Sequence, residues 1–297
     1  MSARGNSAAI RARNCARIRA QIDAARGYVL DLDGSLVLGD KSNNGVTALP
    51  GAAALLELLD ARRIPWLVMT NGTVRTPAGI SLELAKGGLS VPADRIMTPA
   101  TIAATYFTSK KMRRIIVLGV EGVWQPLKDA GLEVVLPARG HEGADSADAI
   151  FIGWYRQVDM DEIEVACNAV WRGAGLYCAS MVPFFATHGG RALGSSRAIA
   201  AMITSITSRR ATPLGKPSPH ALRAAAKLIG CKTSELVVVG DDPDLEVKMA
   251  LAGKALAVGV HTGIAGAAEF DALPAKRRPQ LSFAGVGDLR DYLVGAG

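Results

Sequence analysis

The stretch 28-YVLDLDGSLVLGD-40 decides the fold, because a short apolar run in it ends at two aspartates and a glycine. Tyr28, Val29 and Leu30 predict a buried strand, and Asp31 and Asp33 follow it directly. Ligands of parallel α/β sheets bind beyond the carboxyl ends of the strands, so this strand end is a candidate site. The alternative is a turn in which the aspartates cap the next element.

Strand-like and helix-like segments alternate along the rest of the chain. This alternation predicts an α/β fold with a Rossmann-like parallel sheet and helices on both faces. Predicted strands lie at 66–69, 115–119, 133–136, 149–153, 175–179, 236–240, 255–260 and 281–283, and predicted helices at 77–87, 159–172, 196–207, 218–229 and 244–252.

Composition excludes several classes of protein. The chain has 297 residues, of which 49% are hydrophobic, enough for a large core. It contains no apolar run near the ~18 residues that a membrane span needs, so no membrane partner is expected. Its four cysteines show no metal-ligand spacing and indicate reduced thiols in a cytoplasmic protein.

The positive charge is concentrated at the N-terminus. Residues 1–20 carry five arginines and no acid, whereas the net charge of the whole chain is +7. No basic stripe is interleaved with aromatic residues, so nucleic acid is not an expected partner. Residues 1–26 are predicted to form a basic extension. The near-helical spacing of Ile10, Ile18 and Ile22 favours an amphipathic helix there. A transit peptide and an electrostatic arm are the alternatives.

Further polar residues follow other predicted strands or turns. Thr70 and Asn71 follow 66-WLVM-69, Asp241 and its acidic neighbours follow 236-LVVVG-240, and Lys216 lies in the turn 215-GKPSP-219. Clustered carboxylates repel each other unless a cation is present, and Mg²⁺ with oxygen ligands would remove that conflict. Lysine, threonine and backbone N–H groups suit phosphate oxygens, so the combination predicts phosphoryl transfer. Each element alone is also explained as a helix cap, a turn or a solvated lysine.

The order DLDGSL, MTN, GKPSP and VVVGDD resembles the haloacid dehalogenase (HAD) superfamily. The longer stretches LPGAAALLELLDARRIPWLVMTNGT and GKPSPHALRAAAKLIG are similar to its subclass IIA, the NagD-like and 4-nitrophenylphosphatase-like phosphatases. The resemblance runs from about residue 27 to the C-terminus. It implies a discontinuous core over 27–109 and 185–297, with an inserted α/β cap domain over 110–184.

The resemblance also implies a role for each residue of the motifs. Asp31 would attack phosphorus, and Asp33 would protonate the leaving oxygen and then activate water. Mg²⁺ would be held by Asp31, the backbone carbonyl of Asp33, and Asp241. The phosphoryl oxygens would be bound by Thr70 and Lys216, with Asn71 and Gly72 beside Thr70.

Two stretches depart from the subclass pattern. The fourth motif of the subclass reads Gly-Asp-x-x-x-Thr-Asp, whereas this chain reads 240-GDDPDLEV-247, with Leu245 and Glu246 at the last two positions. Glu246 would still reach a metal-bound water or Lys216. Asp242 and Asp244 are the alternatives for the second acidic position of this motif. The cap loop 179-ASMVPFF-185 lacks the acid of many relatives, so Met181 and Phe184 are either apolar cover or a substrate-facing surface.

The function expected from the residues and the resemblance is a Mg²⁺-dependent phosphatase. Its substrate would be a small phosphorylated metabolite such as a sugar, polyol or aryl phosphate, and the resemblance is compatible with a homodimer. His188 and His220 are expected to be structural or surface residues, because this chemistry needs no histidine. The alternative function is a weakly active or inactive protein of the same fold that binds a phosphorylated ligand.

Overall fold

The computed structural model describes residues 16–39, 45–140, 142–187 and 190–295. The chain divides into two compact units. One takes in residues up to Leu36, Leu49–Leu67 and the chain from Ala225, and the other takes in Val37–Ala48 and Val68–Ala224.

The strands and helices alternate along the chain, as the sequence predicts. In chain order the strands are β1 Gly27–Asp31, β2 Val37–Gly39, β3 Val46–Ala48, β4 Trp66–Met69, β5 Ile96–Met97, β6 Arg114–Leu118, β7 Glu133–Val135, β8 Ala149–Ile152, β9 Gly175–Cys178, β10 Phe184–Thr187, β11 Gly190–Leu193, β12 Thr212–Pro213, β13 Leu236–Gly240, β14 Leu256–Val260 and β15 Leu281–Phe283. The α-helices are Ala52–Ala61, Pro77–Lys86, Pro99–Ser109, Glu121–Asp129, Met160–Trp171, Ser195–Thr207, Pro219–Ile229, Lys248–Ala252, Ala267–Ala272 and Val286–Val294.

A six-stranded sheet carries the strand ends that the sequence analysis singled out. Its strand order is β15-β14-β13-β1-β4-β5. β1 pairs in parallel with β13, and Gly27 lies opposite Leu236. Every residue of β1, β4 and β13 is buried, which explains why these strands are continuous apolar runs rather than alternating ones. The parallel α/β prediction is confirmed.

A second, five-stranded sheet has the order β12-β9-β8-β6-β7, and all its strand pairs are parallel. Buried apolar residues of its strands pack against the helices Met160–Trp171 and Ser195–Thr207 in one cluster. The cap predicted over 110–184 contains four of these strands, and β12 lies beyond it at Thr212–Pro213. The predicted domain boundaries stay a prediction.

Two antiparallel hairpins accompany the parallel sheets. β2 pairs with β3, and β10 pairs with β11. These hairpins are not predicted from the sequence, because their strands are only three or four residues long and lack a strict alternation of apolar and polar residues.

The described part of the N-terminal extension packs against the end of the chain. Residues 16–23 are helical, and Ile22 is buried. Arg19 Nη1 donates to the carbonyl oxygen of Tyr292 at 2.8 Å, and its guanidinium lies 5.2 Å from the centre of the Tyr292 ring. Residues 1–15, and with them most of the predicted basic extension, lie outside the described residues. Within the described ranges, no helix combines the length and the apolar character that a membrane span requires.

Candidate active site

Three buried carboxylates converge in the first unit, and we call them the carboxylate cluster: Asp31, Asp241 and Glu246. Each contributes one oxygen, and these oxygens all lie within 4.8 Å of one another. The exposed fractions of the three residues are 4%, 2% and 2%, so water screens their charges poorly. A set of this kind is stable only with a proton or a cation among the oxygens.

Asp31 is positioned by the strand that it ends and by a neighbour in the following turn. It is the last residue of β1. Ser35 Oγ, itself buried, donates a hydrogen bond of 3.0 Å to Asp31 Oδ2. The pairing of β1 with β13 places the ends of both strands side by side, which brings Asp31 near Asp241.

The pKa of Asp241 lies well above that of a free aspartate. Burial is the main reason why the pKa of Asp241 is raised from 3.8 to about 7, and the negative charge of Asp31 raises it further. The backbone N–H of Ile264 donates to Asp241 Oδ2 at 2.6 Å, and this hydrogen bond lowers the pKa of Asp241. Without a cation, Asp241 therefore keeps its proton to a higher pH than a free aspartate does.

Two glycines make room for the Asp241 carboxylate. A Cβ atom on Gly263 would lie 2.0 Å from Asp241 Oδ2, and one on Gly34 would lie 2.5 Å from the same oxygen. Gly34 also has a φ of +88°, which favours glycine. Thr262 Oγ1 donates to the Gly34 carbonyl oxygen at 2.6 Å and ties the two loops together.

Glu246 reaches the carboxylate cluster through an unusual helical turn. Pro243–Val247 form one turn of π-helix, in which Val247 N donates to Asp242 O at 3.4 Å. Such turns insert one residue into a helix and often lie at functional sites. Here the turn buries Glu246, whose Oε2 accepts a hydrogen bond from Asp242 N at 3.2 Å.

The two other acids of this segment have different surroundings. The Asp242 side chain caps the π-turn by accepting from Asp244 N at 2.7 Å. Asp244 is exposed and forms an ion pair with Arg277. Of the three alternatives for the second acidic position, the structure brings only Glu246 into the carboxylate cluster.

Asp33 lies two residues beyond the end of β1, and it is exposed. Its side chain is therefore in a different environment from that of Asp31. Water therefore screens the charge of Asp33 more than that of Asp31.

The predicted phosphate-binding residues lie in the second unit, where two of them contact each other. Asn71 Nδ2 donates to Lys216 O at 3.0 Å, and Lys216 N donates to Asn71 Oδ1 at 2.8 Å. Thr70 Oγ1 accepts from Gly72 N at 2.9 Å. Thr70 and Lys216 are only 3% and 4% exposed, so both side chains are held in fixed environments.

The cap loop is tied to the helix that follows β11. Arg197 Nη1 donates to the carbonyl oxygen of Met181 at 3.1 Å, and Ser196 Oγ donates to that of Ser180 at 2.9 Å. The exposed fractions of Met181 and Phe184 are 41% and 42%. Their role as apolar cover or substrate-facing surface stays a prediction, and His188 lies outside the described residues.

The donor set of the carboxylate cluster fits a hard divalent cation. Its three oxygen donors are those that Mg²⁺ prefers, and a bound cation would relieve the repulsion that raises the pKa of Asp241. No nitrogen or sulfur ligand joins the cluster among the described residues, which disfavours zinc.

Fold and site together define a parallel α/β protein with acidic residues at the ends of two neighbouring strands. Two family profiles match the chain, a haloacid dehalogenase-like hydrolase profile over residues 28–133 and a HAD-hydrolase-like profile over residues 213–289. The chain belongs to the haloacid dehalogenase-like hydrolases, as the resemblance implies.

Known proteins similar to the chain agree with this assignment. A dihydroxyacetone phosphatase from Corynebacterium glutamicum is 29% identical over 89% of this chain and 90% of its own length. A thermostable NPPase double mutant from Geobacillus stearothermophilus is 26% identical, with a TM-score of 0.75 over 89% of this chain and 98% of its own. NagD from Escherichia coli K-12 is 23% identical, with a TM-score of 0.76 over 89% and 98% of the two chains, and shows the fold alone. The similarity to subclass IIA is confirmed.

Sequence reasoning missed Ser35, Gly263 and Ile264. Gly263 and Ile264 follow the apolar run of β14, so the rule about strand ends would have found their loop. Nothing in the sequence alone indicates that the Ile264 N–H faces Asp241.

Proposed function

We propose that the protein is a Mg²⁺-dependent phosphatase that hydrolyses a small phosphorylated metabolite through an aspartyl-phosphate. The observation that carries this proposal is the buried carboxylate cluster in a chain of the haloacid dehalogenase-like hydrolases, with Asp31 and Asp241 at the ends of neighbouring strands. The similarity to a dihydroxyacetone phosphatase supports a small phosphate ester as substrate.

In the first step, an Asp31 oxygen attacks phosphorus, and the bond between phosphorus and the ester oxygen breaks. Ser35 holds Asp31 Oδ2 by a hydrogen bond and so fixes the orientation of the nucleophile. Asp33 gives its proton to the leaving oxygen, which departs as an alcohol or phenol. The products of this step are the free alcohol and a phosphoryl group bound covalently to Asp31.

In the second step, Asp33 takes a proton from a water molecule, and the water oxygen attacks phosphorus. The bond to the Asp31 oxygen breaks, which releases inorganic phosphate and restores both aspartates. Lys216 and Thr70 bind the phosphoryl oxygens in this proposal, and the hydrogen bonds between Asn71 and Lys216 hold the lysine backbone in place.

Mg²⁺ would be held by Asp31, the backbone carbonyl of Asp33, and Asp241, with Glu246 as a further ligand or as acceptor for a bound water. When bound, it supplies positive charge that offsets the repulsion between the phosphate and the carboxylates. The chain's own residues supply the nucleophile and the proton transfers.

The first test is phosphate release from p-nitrophenyl phosphate and from a panel of polyol, sugar and triose phosphates that includes dihydroxyacetone phosphate. We expect turnover that depends on Mg²⁺, stops with EDTA, and is lost in Asp31→Asn. The matched control is Asp244→Asn, which removes an exposed carboxylate outside the cluster and should retain activity.

The alternative is a weakly active protein that binds phosphorylated ligands, and it rests on Leu245, Glu246 and the cap loop without an acid. A folded protein that binds Mg²⁺ but turns over no compound of the panel would favour it. The homodimer and the cytoplasmic location stay predictions from the sequence.

A further inference from the structure

A group of rings lies in the second unit, outside the residues assigned to catalysis. The ring centres of Tyr106 and Tyr177 are 5.5 Å apart, and those of Tyr106 and His220 are 4.7 Å apart. A hydrogen bond between the tyrosine side chains contributes to raising the pKa of Tyr177 to about 12, after the larger effect of burial. All three residues are partly buried, and their rings pack against one another. The tyrosine hydroxyls and the imidazole nitrogens are the polar groups of this set.

Two cations lie beside these rings, and a third acts on Tyr177 through its charge. Lys110 Nζ lies 5.9 Å from the centre of the Tyr106 ring, and Arg223 Nη2 lies 3.2 Å from His220 Nδ1. The positive charge of Arg209 lowers the pKa of Tyr177, against the larger effects that raise it. We call the six residues the basic aromatic cluster: Tyr106, Lys110, Tyr177, Arg209, His220 and Arg223.

The six residues of the basic aromatic cluster include three cations and no acid. Within the described ranges, Lys110, Arg209 and Arg223 form no ion pair with a carboxylate. After burial, the charges of Arg223 and then Lys110 are the causes that lower the pKa of His220. The cluster therefore has a positive potential that a bound anion would relieve.

Three residues of the basic aromatic cluster lie at or near helix ends. Lys110 caps the C-terminus of the helix Pro99–Ser109, where the helix dipole favours a cation. His220 and Arg223 lie near the N-terminus of the helix Pro219–Ile229, where the dipole disfavours cations and favours anions. Helix stability thus explains Lys110 but does not explain His220 and Arg223.

We propose that the basic aromatic cluster is a second anion site of this protein and that it binds a phosphate group. The guanidinium of Arg223 offers paired donors, Lys110 offers an ammonium, and the tyrosine hydroxyls offer hydrogen bonds, a combination that suits tetrahedral oxyanions. The phosphate group is that of inorganic phosphate or of a small ester. This proposal does not depend on the reaction proposed above.

The test follows the His220 signal in NMR spectra of the full chain labelled at histidine, with His220→Gln used to assign it. Inorganic phosphate is titrated with EDTA present and with chloride exchanged to keep the ionic strength constant. We expect a saturable shift of the His220 signal and a rise in the pKa of His220, because a bound anion favours the imidazolium. Arg223→Gln should weaken the phosphate affinity measured on this signal by about tenfold.

The matched control is Arg210→Gln, which removes an exposed arginine next to Arg209 and should leave the affinity unchanged. A parallel titration with glycerol phosphate uses Asp31→Asn, so that the ester is not hydrolysed. Binding of both compounds, or of either one alone, supports the proposal and identifies the source of the phosphate group. A His220 signal that responds to neither, or that responds equally in Arg223→Gln, overturns it.

Discussion

Ionisation of Asp241 is unfavourable in the metal-free protein, because burial and the charge of Asp31 both oppose it. A folded-state pKa of about 7, against 3.8 for the free group, means that the folded protein holds a proton that the unfolded chain has already lost at intermediate pH. The protonated form thus stabilises the metal-free fold below the unfolded pKa, and this contribution is lost as pH rises toward the folded pKa.

We therefore expect the metal-free protein to lose roughly 2 to 4 kcal/mol of stability between about pH 4 and pH 7. Thermal unfolding in EDTA across this range measures the effect. Asp241→Asn should flatten the pH dependence, whereas the exposed Asp244→Asn should not. Added Mg²⁺ should restore stability at the upper end of the range, and an unchanged Tm on addition of Mg²⁺ would argue against a cation site here.

Gly263 is a residue whose missing side chain the carboxylate cluster requires. A Cβ atom there would lie 2.0 Å from Asp241 Oδ2, a distance that real contacts do not reach. We expect Gly263→Ala to cost about 1 to 3 kcal/mol of stability, or to displace Asp241 and weaken Mg²⁺ binding. Calorimetric Mg²⁺ titration and thermal unfolding separate the two effects. Gly285→Ala is the control, since its Cβ would meet its nearest neighbour at an ordinary 3.4 Å.

At the level of elements, the sequence predicted the strands better than the turns that complete the site. β1, β4 and β13 are fully buried, so their apolar runs and the polar residues after them are visible in the sequence. The π-turn Pro243–Val247 was predicted as the beginning of an ordinary helix, because one inserted residue does not change the local pattern. The hydrogen bond from Ile264 N to Asp241 links segments over 20 residues apart, and such contacts depend on tertiary packing.

The turn that carries Lys216 depends on Asn71, which makes both hydrogen bonds to the lysine backbone. Asn71→Ala leaves both backbone groups without this partner, so we expect a loss of about 1 to 3 kcal/mol of stability. If Lys216 binds phosphate as proposed, kcat/KM for p-nitrophenyl phosphate should fall as well. Asn71→Asp is the comparison variant, because it keeps an acceptor for Lys216 N while it replaces the donor by a negatively charged oxygen. A wild-type rate in Asn71→Ala would show that this turn does not position the lysine.

At the level of the whole molecule, the two ends of the described chain are joined. Arg19 donates to the Tyr292 carbonyl, and Arg62 Nη1 donates to that of Leu293 at 3.0 Å, so two arginines cap the last turn of the helix Val286–Val294. Cations at a helix C-terminus satisfy free carbonyls and complement the helix dipole.

We expect Arg19→Ala and Arg62→Ala each to lower the free energy of unfolding by about 0.5 to 2 kcal/mol. Chemical denaturation of the full chain measures this change. The control is Arg63→Ala, which removes an exposed neighbouring arginine. Arg63 has a positive φ, and arginine and alanine are both disfavoured there, so the comparison measures the loss of the side chain. Deleting residues 1–23 should cost more than Arg19→Ala, since it also removes buried Ile22. Equal stability of the deleted and full chains would refute this role.

The pairing of β1 with β13 has a consequence for synthesis on the ribosome. Leu236, the partner of Gly27, is translated more than 200 residues after it. At a translation rate of about 5 to 20 residues per second, β13 is synthesised on the order of 10 to 40 s after β1. Until then an apolar strand has one unpaired edge, which is a template for aggregation. Nascent chains of this protein should therefore depend on a chaperone that shields apolar strands, and slow translation should prolong that dependence.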